Sequence, residues 1–242
     1  MNRQLVVALL LALPCSLALA QGPVEITSEP SHHLVLENDA VRVFAVTVNP
    51  GASTLVHRHA HDYIAVALGD SEILNTKAGA APVKVAFKDG GVGFGAAGLV
   101  HAVADAGSGP FRNITVELLG PTTGERACSA SCDVSPPCAA ADKSTCPVVE
   151  ELLTSDQWSV RRLTLPPGGH EARHTHAASY LVVPVTDADL RRTDASGAVV
   201  EAHVAAGQVS WSKPVTHEVT NVGAKPAVVV VLQFNAKPAA PR

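Results

Sequence analysis

The sequence predicts an all-β chain of two similar domains joined by a cysteine-rich linker. Three observations carry this. Short β-branched runs recur in both halves with turn residues between them, and the first half sustains no helical apolar period over three turns. Valine and alanine dominate the apolar positions, while aromatics make up only 4%, which suits short strands better than long helices. The halves also repeat: Pro50-Gly51 matches Pro167-Gly168 and His57 matches His174, each 117 positions apart, and Asp39 falls opposite Asp156 at the same offset. A period this long marks two related domains rather than a solenoid.

Residues 1–20 read as a signal peptide. Arg3 gives a positive start, Leu5 to Leu13 are unbroken apolar residues, and Ala18-Leu19-Ala20 is a small-x-small cleavage site. The apolar run is shorter than the ~18 residues a membrane span needs, so no integral membrane segment is expected after cleavage. The expected location is periplasmic or secreted.

The first domain is placed at 30–120. "VRVFAVTV" (Val41 to Val48) is its clearest strand and ends at Asn49-Pro50-Gly51, a turn. Further runs are Tyr63 to Leu68, Val83 to Phe87, Val100 to Ala104 and Ile114 to Leu119. The linker spans 121–147. The second domain, 148–235, repeats the pattern at Val160 to Leu165, Tyr180 to Val185, Val199 to Val204, Gln208 to Ser212 and the run ending at Phe234. Residues 236–242 read as a loose tail.

Loss of Cys15 with the signal leaves Cys128, Cys132, Cys138 and Cys146, all inside the linker. An even count in an exported chain favours two disulfides, with three connectivities open. Zinc is the rival reading, but no C-x2-C pair is present. A net charge of −4 over 242 residues supplies no basic field, so no nucleic-acid partner is expected.

The histidines carry the chemistry. In a strand, residues two apart share a face, so His57 and His59 present two imidazoles side by side, and His174 and His176 do the same. His101 and His217 follow at nearly equal distances and are the natural third ligands. Three neutral imidazoles suit a divalent transition metal such as Fe, Mn, Zn, Ni or Cu. Of the eleven histidines, only His32, His33 and His203 fall outside these clusters. His170, Glu171 and Arg173 lie in the turn before the second pair and read as surface residues.

With these residues in hand, the chain resembles the cupin superfamily, and its duplication resembles a bicupin. The first family motif, G-x5-H-x-H-x3/4-E-x6-G, is met by Gly51, His57 and His59, with Gly69 one position early, and by Gly168, His174 and His176. The second, G-x5-P-x-G-x2-H-x3-N, is met by Gly98 and His101 with Asp105 for Asn, and by Gly207, His217 and Asn221 with Pro214 where Gly is expected. The resemblance covers about 90 residues in each half. It implies two small antiparallel β-barrels of double-stranded β-helix or jelly-roll type, with the histidines pointing inward. It also implies a metal-dependent dioxygenase, decarboxylase or isomerase acting on a small organic molecule, or a binding protein without turnover. It leaves both a monomer and a dimer open.

The family's metal-binding Glu is replaced by Tyr63 in one half and Tyr180 in the other. Three roles stand open for these tyrosines: phenolate ligand, hydrogen-bond donor beside the ion, or packing residue. In the first half Asp62 is a further candidate carboxylate if the strand bulges, with His61 beside it.

Overall fold

A computed structural model of the chain describes residues 22–129, 132–138 and 140–235. The signal-peptide and tail expectations, 1–20 and 236–242, lie outside the described residues. Each half is a sandwich of two facing sheets. The first pairs a sheet in the order Val24–Glu25, His57–Arg58, Val100–Asp105, Ser71–Lys77, Val83–Phe87 with one in the order His32–Glu37, Val41–Val48, Phe111–Leu118, Tyr63–Ala67, Val92–Gly95. The second faces a six-stranded sheet (Arg126–Ala127, Val148–Thr154, Trp158–Leu165, Ala227–Phe234, Tyr180–Pro184, Ser210–Ser212) with a four-stranded one (His170–His176, Val215–Asn221, Ala188–Asp194, Val199–Val204). The form is a jelly-roll sandwich rather than a closed barrel. Its strands are antiparallel except for Val24–Glu25, which runs parallel to His57–Arg58.

The repeat extends to register. His32 pairs with Val46 and Val149 with Leu163, again 117 positions apart. Both halves carry the same β-bulge, between Leu34 and Leu36 and between Glu151 and Leu153. The motif residues Asp105 and Asn221 close equivalent turns. Asp105 accepts from the amides of Gly107 and Phe111, and the buried Asn221 amide donates to the carbonyls of Leu165, Pro166 and Lys225.

The largest core lies between the sandwiches. Val41, Val43, Ile64, Val66, Ile114 and Val116 pack in one cluster with Val160, Leu181, Val183, Val230 and Leu232. Val41–Val48 therefore buries both faces: Val41 and Val43 face the second half, while Phe44 and Val46 pack with Ile26 on the other side. That is why its sequence is an almost unbroken apolar run rather than an alternating one. Each of these side chains contributes roughly 1.5–3 kcal/mol on burial. With the largest apolar cluster placed between the halves, each sandwich interior has room for its histidines.

The linker is not a free tether. Arg126 and Ala127 pair with Thr154 and Leu153, Cys128 donates to Leu152, Glu151 donates to Cys132 and Val134 donates to Val149. The segment thus adds an interrupted strand to the edge of the second sandwich. Disulfides join Cys128 to Cys132 and Cys138 to Cys146, the first pinning the base of the interruption.

Candidate metal centres

In the first sandwich, antiparallel pairing sets His57 directly opposite His101. The ring centroids lie 4.6 Å apart for His57 and His101, and 5.2 Å apart both for His57 and His59 and for His59 and His101. In the second, His174 sits opposite His217. The corresponding separations are 4.6, 4.9 and 5.2 Å. The two trios are near copies, and each points into its own sandwich.

The hydrogen bonds of the second trio fix the tautomers of His174 and His176. The Gln233 amide donates to the carbonyls of Ala178, Ser179 and Phe234, so its oxygen faces His176 Nδ1, which must donate. His174 Nδ1 donates to the Ala172 carbonyl at 2.9 Å. Both Nε2 atoms therefore carry lone pairs, yet they face each other at 3.1 Å, with His217 Nε2 also 3.1 Å from His174 Nε2. Two facing acceptors repel unless a cation lies between them. Burial pushes His217 down to about 4 and lowers His176 as well, so neither of these two rings favours a proton near neutrality. A metal ion meets the need: nitrogens ~2.1 Å from one ion lie roughly 3.0–3.4 Å apart when adjacent.

The first trio is more deeply buried. His57, His59 and His101 are 1%, 2% and 6% exposed. His57 Nδ1 donates to the Leu55 carbonyl and His101 Nδ1 to Asn75 Oδ1, each at 2.9 Å. His57 Nε2 and His59 Nδ1 are buried without a partner, and His59 Nε2 lies 3.2 Å from His101 Nε2. Burial drives His59 down to about 2 and His101 to about 4, keeping both rings neutral, as metal ligation requires.

No protein-family model and no curated protein sequence matches the chain. Solved structures do. AerE from Microcystis aeruginosa is similar at a TM-score of 0.60 and 12% identity, over 86% of this chain and 99% of that one. Oxalate decarboxylase of Bacillus subtilis, studied for its Mn(II) centres, is similar at 0.55 and 14%, over 86% of this chain and 76% of that one. A cupin 2 conserved barrel domain protein from Leptotrichia buccalis is similar at 0.51 and 9%, over 84% and 88%. The likeness spans both halves in order. The fold is that of a bicupin.

The two centres differ around their matching trios. The first cavity measures ≈ 100 Å³ and the second ≈ 800 Å³. In the first, His32 enters the cavity, and one nitrogen from each of His32, His57 and His59 lies within 4.8 Å of the others. Val149 holds the equivalent register in the second half and lines the cavity there. Asn75, which anchors His101, pairs with Val103; at the matching place Arg192 pairs with Val219 and also lines the second cavity. His32 was set outside the clusters by sequence spacing, because its link to them is tertiary.

The residues at the missing Glu positions pack against ligands. Tyr63 stacks on His59 at 4.0 Å and Tyr180 on His176 at 3.8 Å. Burial pushes the Tyr63 phenol up to about 12, which opposes the phenolate role in the metal-free protein. Tyr63 also lies across Gly95, its cross-strand partner, where any Cβ would collide with the ring. Asp62 accepts from the Ala97 amide at 2.8 Å and caps an exposed turn. Neither Asp62 nor His61 lines the cavity, and His61 lies instead toward Glu117.

Glu171 is the residue that sequence reading misplaced. His170 and Arg173 do lie on the surface, bonded to Thr220 and facing Glu218. Glu171 turns into the second cavity, its Oε1 3.9 Å from His174 Nε2. A bulge between Glu171 and His174 makes this possible by breaking the alternation that would have turned it outward. Burial raises its pKa.

Proposed function

We propose that this bicupin is an exported metal-dependent protein whose second sandwich binds and transforms a small organic molecule. One observation carries the reading: three Nε2 atoms, two of them fixed as lone pairs 3.1 Å apart, lie on the wall of an ≈ 800 Å³ cavity. That volume falls within the ~300–1,000 Å³ typical of ligand sites. His174, His176 and His217 would hold a divalent transition metal. When bound, the ion would supply Lewis acidity or an oxygen-binding centre beside the substrate.

The chain's own groups have roles around it. Glu171, raised by burial, is suited to hold or deliver a proton within the cavity. Arg192 offers a charge for an anionic substrate, and Tyr180 fixes the His176 ring by stacking. Leu163, Leu165, Val182 and Val229 make the rest of the wall apolar. An all-imidazole set favours Zn, Cu, Ni or Fe over the manganese named for the similar oxalate decarboxylase. The two disulfides fit an oxidising compartment. Among the described residues no helix is long and apolar enough to cross a membrane.

The test is elemental analysis of protein purified from the periplasm, followed by oxygen-uptake and product assays on small acids and phenols. The reading expects close to two ions per chain and turnover that His174→Ala abolishes. A second reading, ligand binding without turnover, rests on tyrosine in place of Glu at both motif positions. Zero turnover in fully metal-loaded protein, with ligand still bound, selects it. Metal far below one ion per chain overturns both.

A further inference from the structure

We infer that His32 is a fourth imidazole ligand of the first centre, held for that role by Glu29, in a cavity far smaller than that of the second centre. The inference rests on reading the first sandwich as a metal site.

Glu29 is 2% exposed and lies in the N-terminal segment. Its Oε2 accepts from His32 Nδ1 at 2.6 Å and from the Ser31 amide at 2.8 Å, and its Oε1 accepts from the Leu55 amide at 3.1 Å. With Nδ1 committed to Glu29, the His32 lone pair is on Nε2. The ring lies 4.8 Å from that of His57, whose own Nε2 is buried without a partner. A carboxylate behind a histidine, fixing its tautomer and aim, is the usual support of a metal-ligating imidazole.

The same contacts crowd the site. Leu55 is two residues before His57, and its amide is held by Glu29 while its carbonyl takes the His57 Nδ1 proton. Val24–Glu25 pairs alongside His57–Arg58. The N-terminal segment is thereby laced to the ligand strand. What is left is ≈ 100 Å³ lined by His32, His57, His59 and His101. At ~30 Å³ of liquid volume per water, that is room for an ion and about two waters. Four neutral imidazoles suit Zn, Cu, Ni or Fe.

The experiment uses the full chain carrying His174→Ala and His176→Ala, so that only the first centre reports. Zn²⁺ affinity is measured by competition with a chromophoric chelator, and the site is probed by Co²⁺ absorption. The expected result is one ion per chain, a Zn²⁺ affinity ~100-fold lower in His32→Gln, and a changed Co²⁺ band. Glu29→Gln lowers affinity roughly 10- to 100-fold, the usual effect of removing a supporting partner. His33→Gln, in the same strand but exposed, changes neither. Circular dichroism of each metal-free variant keeps folding separate from ligation. Binding within about twofold of the parent and an unchanged Co²⁺ band in His32→Gln would overturn the fourth-ligand role while leaving the metal site standing. A parent that binds no ion would overturn both together.

Discussion

His32 and Val149 occupy the same place in the two halves. Each precedes the same bulge, pairs with the equivalent residue of the next strand, and faces the cavity of its own sandwich. At this position the repeats set a further imidazole against the smaller cavity and an aliphatic side chain against the larger one. Val149→His should move the second centre toward the first. Zn²⁺ affinity at that centre is expected to rise by about tenfold and ligand binding to weaken, read by chelator competition and by calorimetry with the substrate identified.

Arg192 stands where the first half has Asn75. Asn75 accepts the His101 Nδ1 proton, a role a guanidinium cannot fill because it has no acceptor. His217 Nδ1 is accordingly buried without a partner. The exchange gives up one ligand-orienting bond and places a positive charge on the cavity wall. Arg192→Asn should leave metal content unchanged and weaken binding of anionic ligands about 10- to 100-fold, the range for a charge-assisted hydrogen bond of roughly 1.5–3 kcal/mol. Neutral ligands of the same size should be unaffected in the same titration.

Gly95 was invisible as a functional position because its contribution is the absence of a side chain. It lets Tyr63 lie flat across the backbone and stack on His59. Gly95→Ala should displace the phenol, lower thermal stability, and reduce metal affinity at the first centre. Tyr63→Phe keeps the stack and should retain the metal. A chelator competition on both variants checks the contrast; a phenolate ligand would instead make Tyr63→Phe the damaging change.

The fold was legible where chemistry repeats locally. Val41 to Val48, Val83 to Phe87 and Val199 to Val204 have the very ends their apolar runs suggest. Ser71–Lys77 and Ala188–Asp194 were not legible, because these are mixed polar strands that sit mid-sheet and bury little. The histidine pairs and their distal partners were legible because alternation fixes direction within a strand. His32, Glu29 and Glu171 were not. The first two reach the site through a tertiary lacing, and the third through a bulge that reverses its side.

The inter-sandwich core makes the two halves depend on each other. Leu181 is fully buried in it, paired with Leu232. Leu181→Ala should cost about 2–5 kcal/mol, the range for truncating a buried leucine. Since the cluster joins both halves, the loss should appear as one shared unfolding transition in calorimetry. Independent sandwiches would instead give two transitions, only one of them shifted.

The buried imidazoles also set a pH dependence for the metal-free protein. His32, His101 and His217 are pushed down to about 4 and His59 to about 2, chiefly by burial, whereas an unfolded histidine titrates near ~6.5. Between these values the unfolded chain binds protons that the folded chain refuses. Stability is therefore complete above about pH 6.5 and falls as pH drops toward 4, by as much as ~1.4 kcal/mol per pH unit for each such ring. Denaturant titrations of metal-free protein at pH 7.5, 6.5 and 5.5 should show falling midpoints. His217→Gln removes one titrating ring and should flatten the slope, provided its own midpoint is compared across the same series. A midpoint independent of pH over this interval would mean that the rings take up protons as readily in the native state as in the unfolded chain, and the argument for converging neutral imidazoles would fail with it.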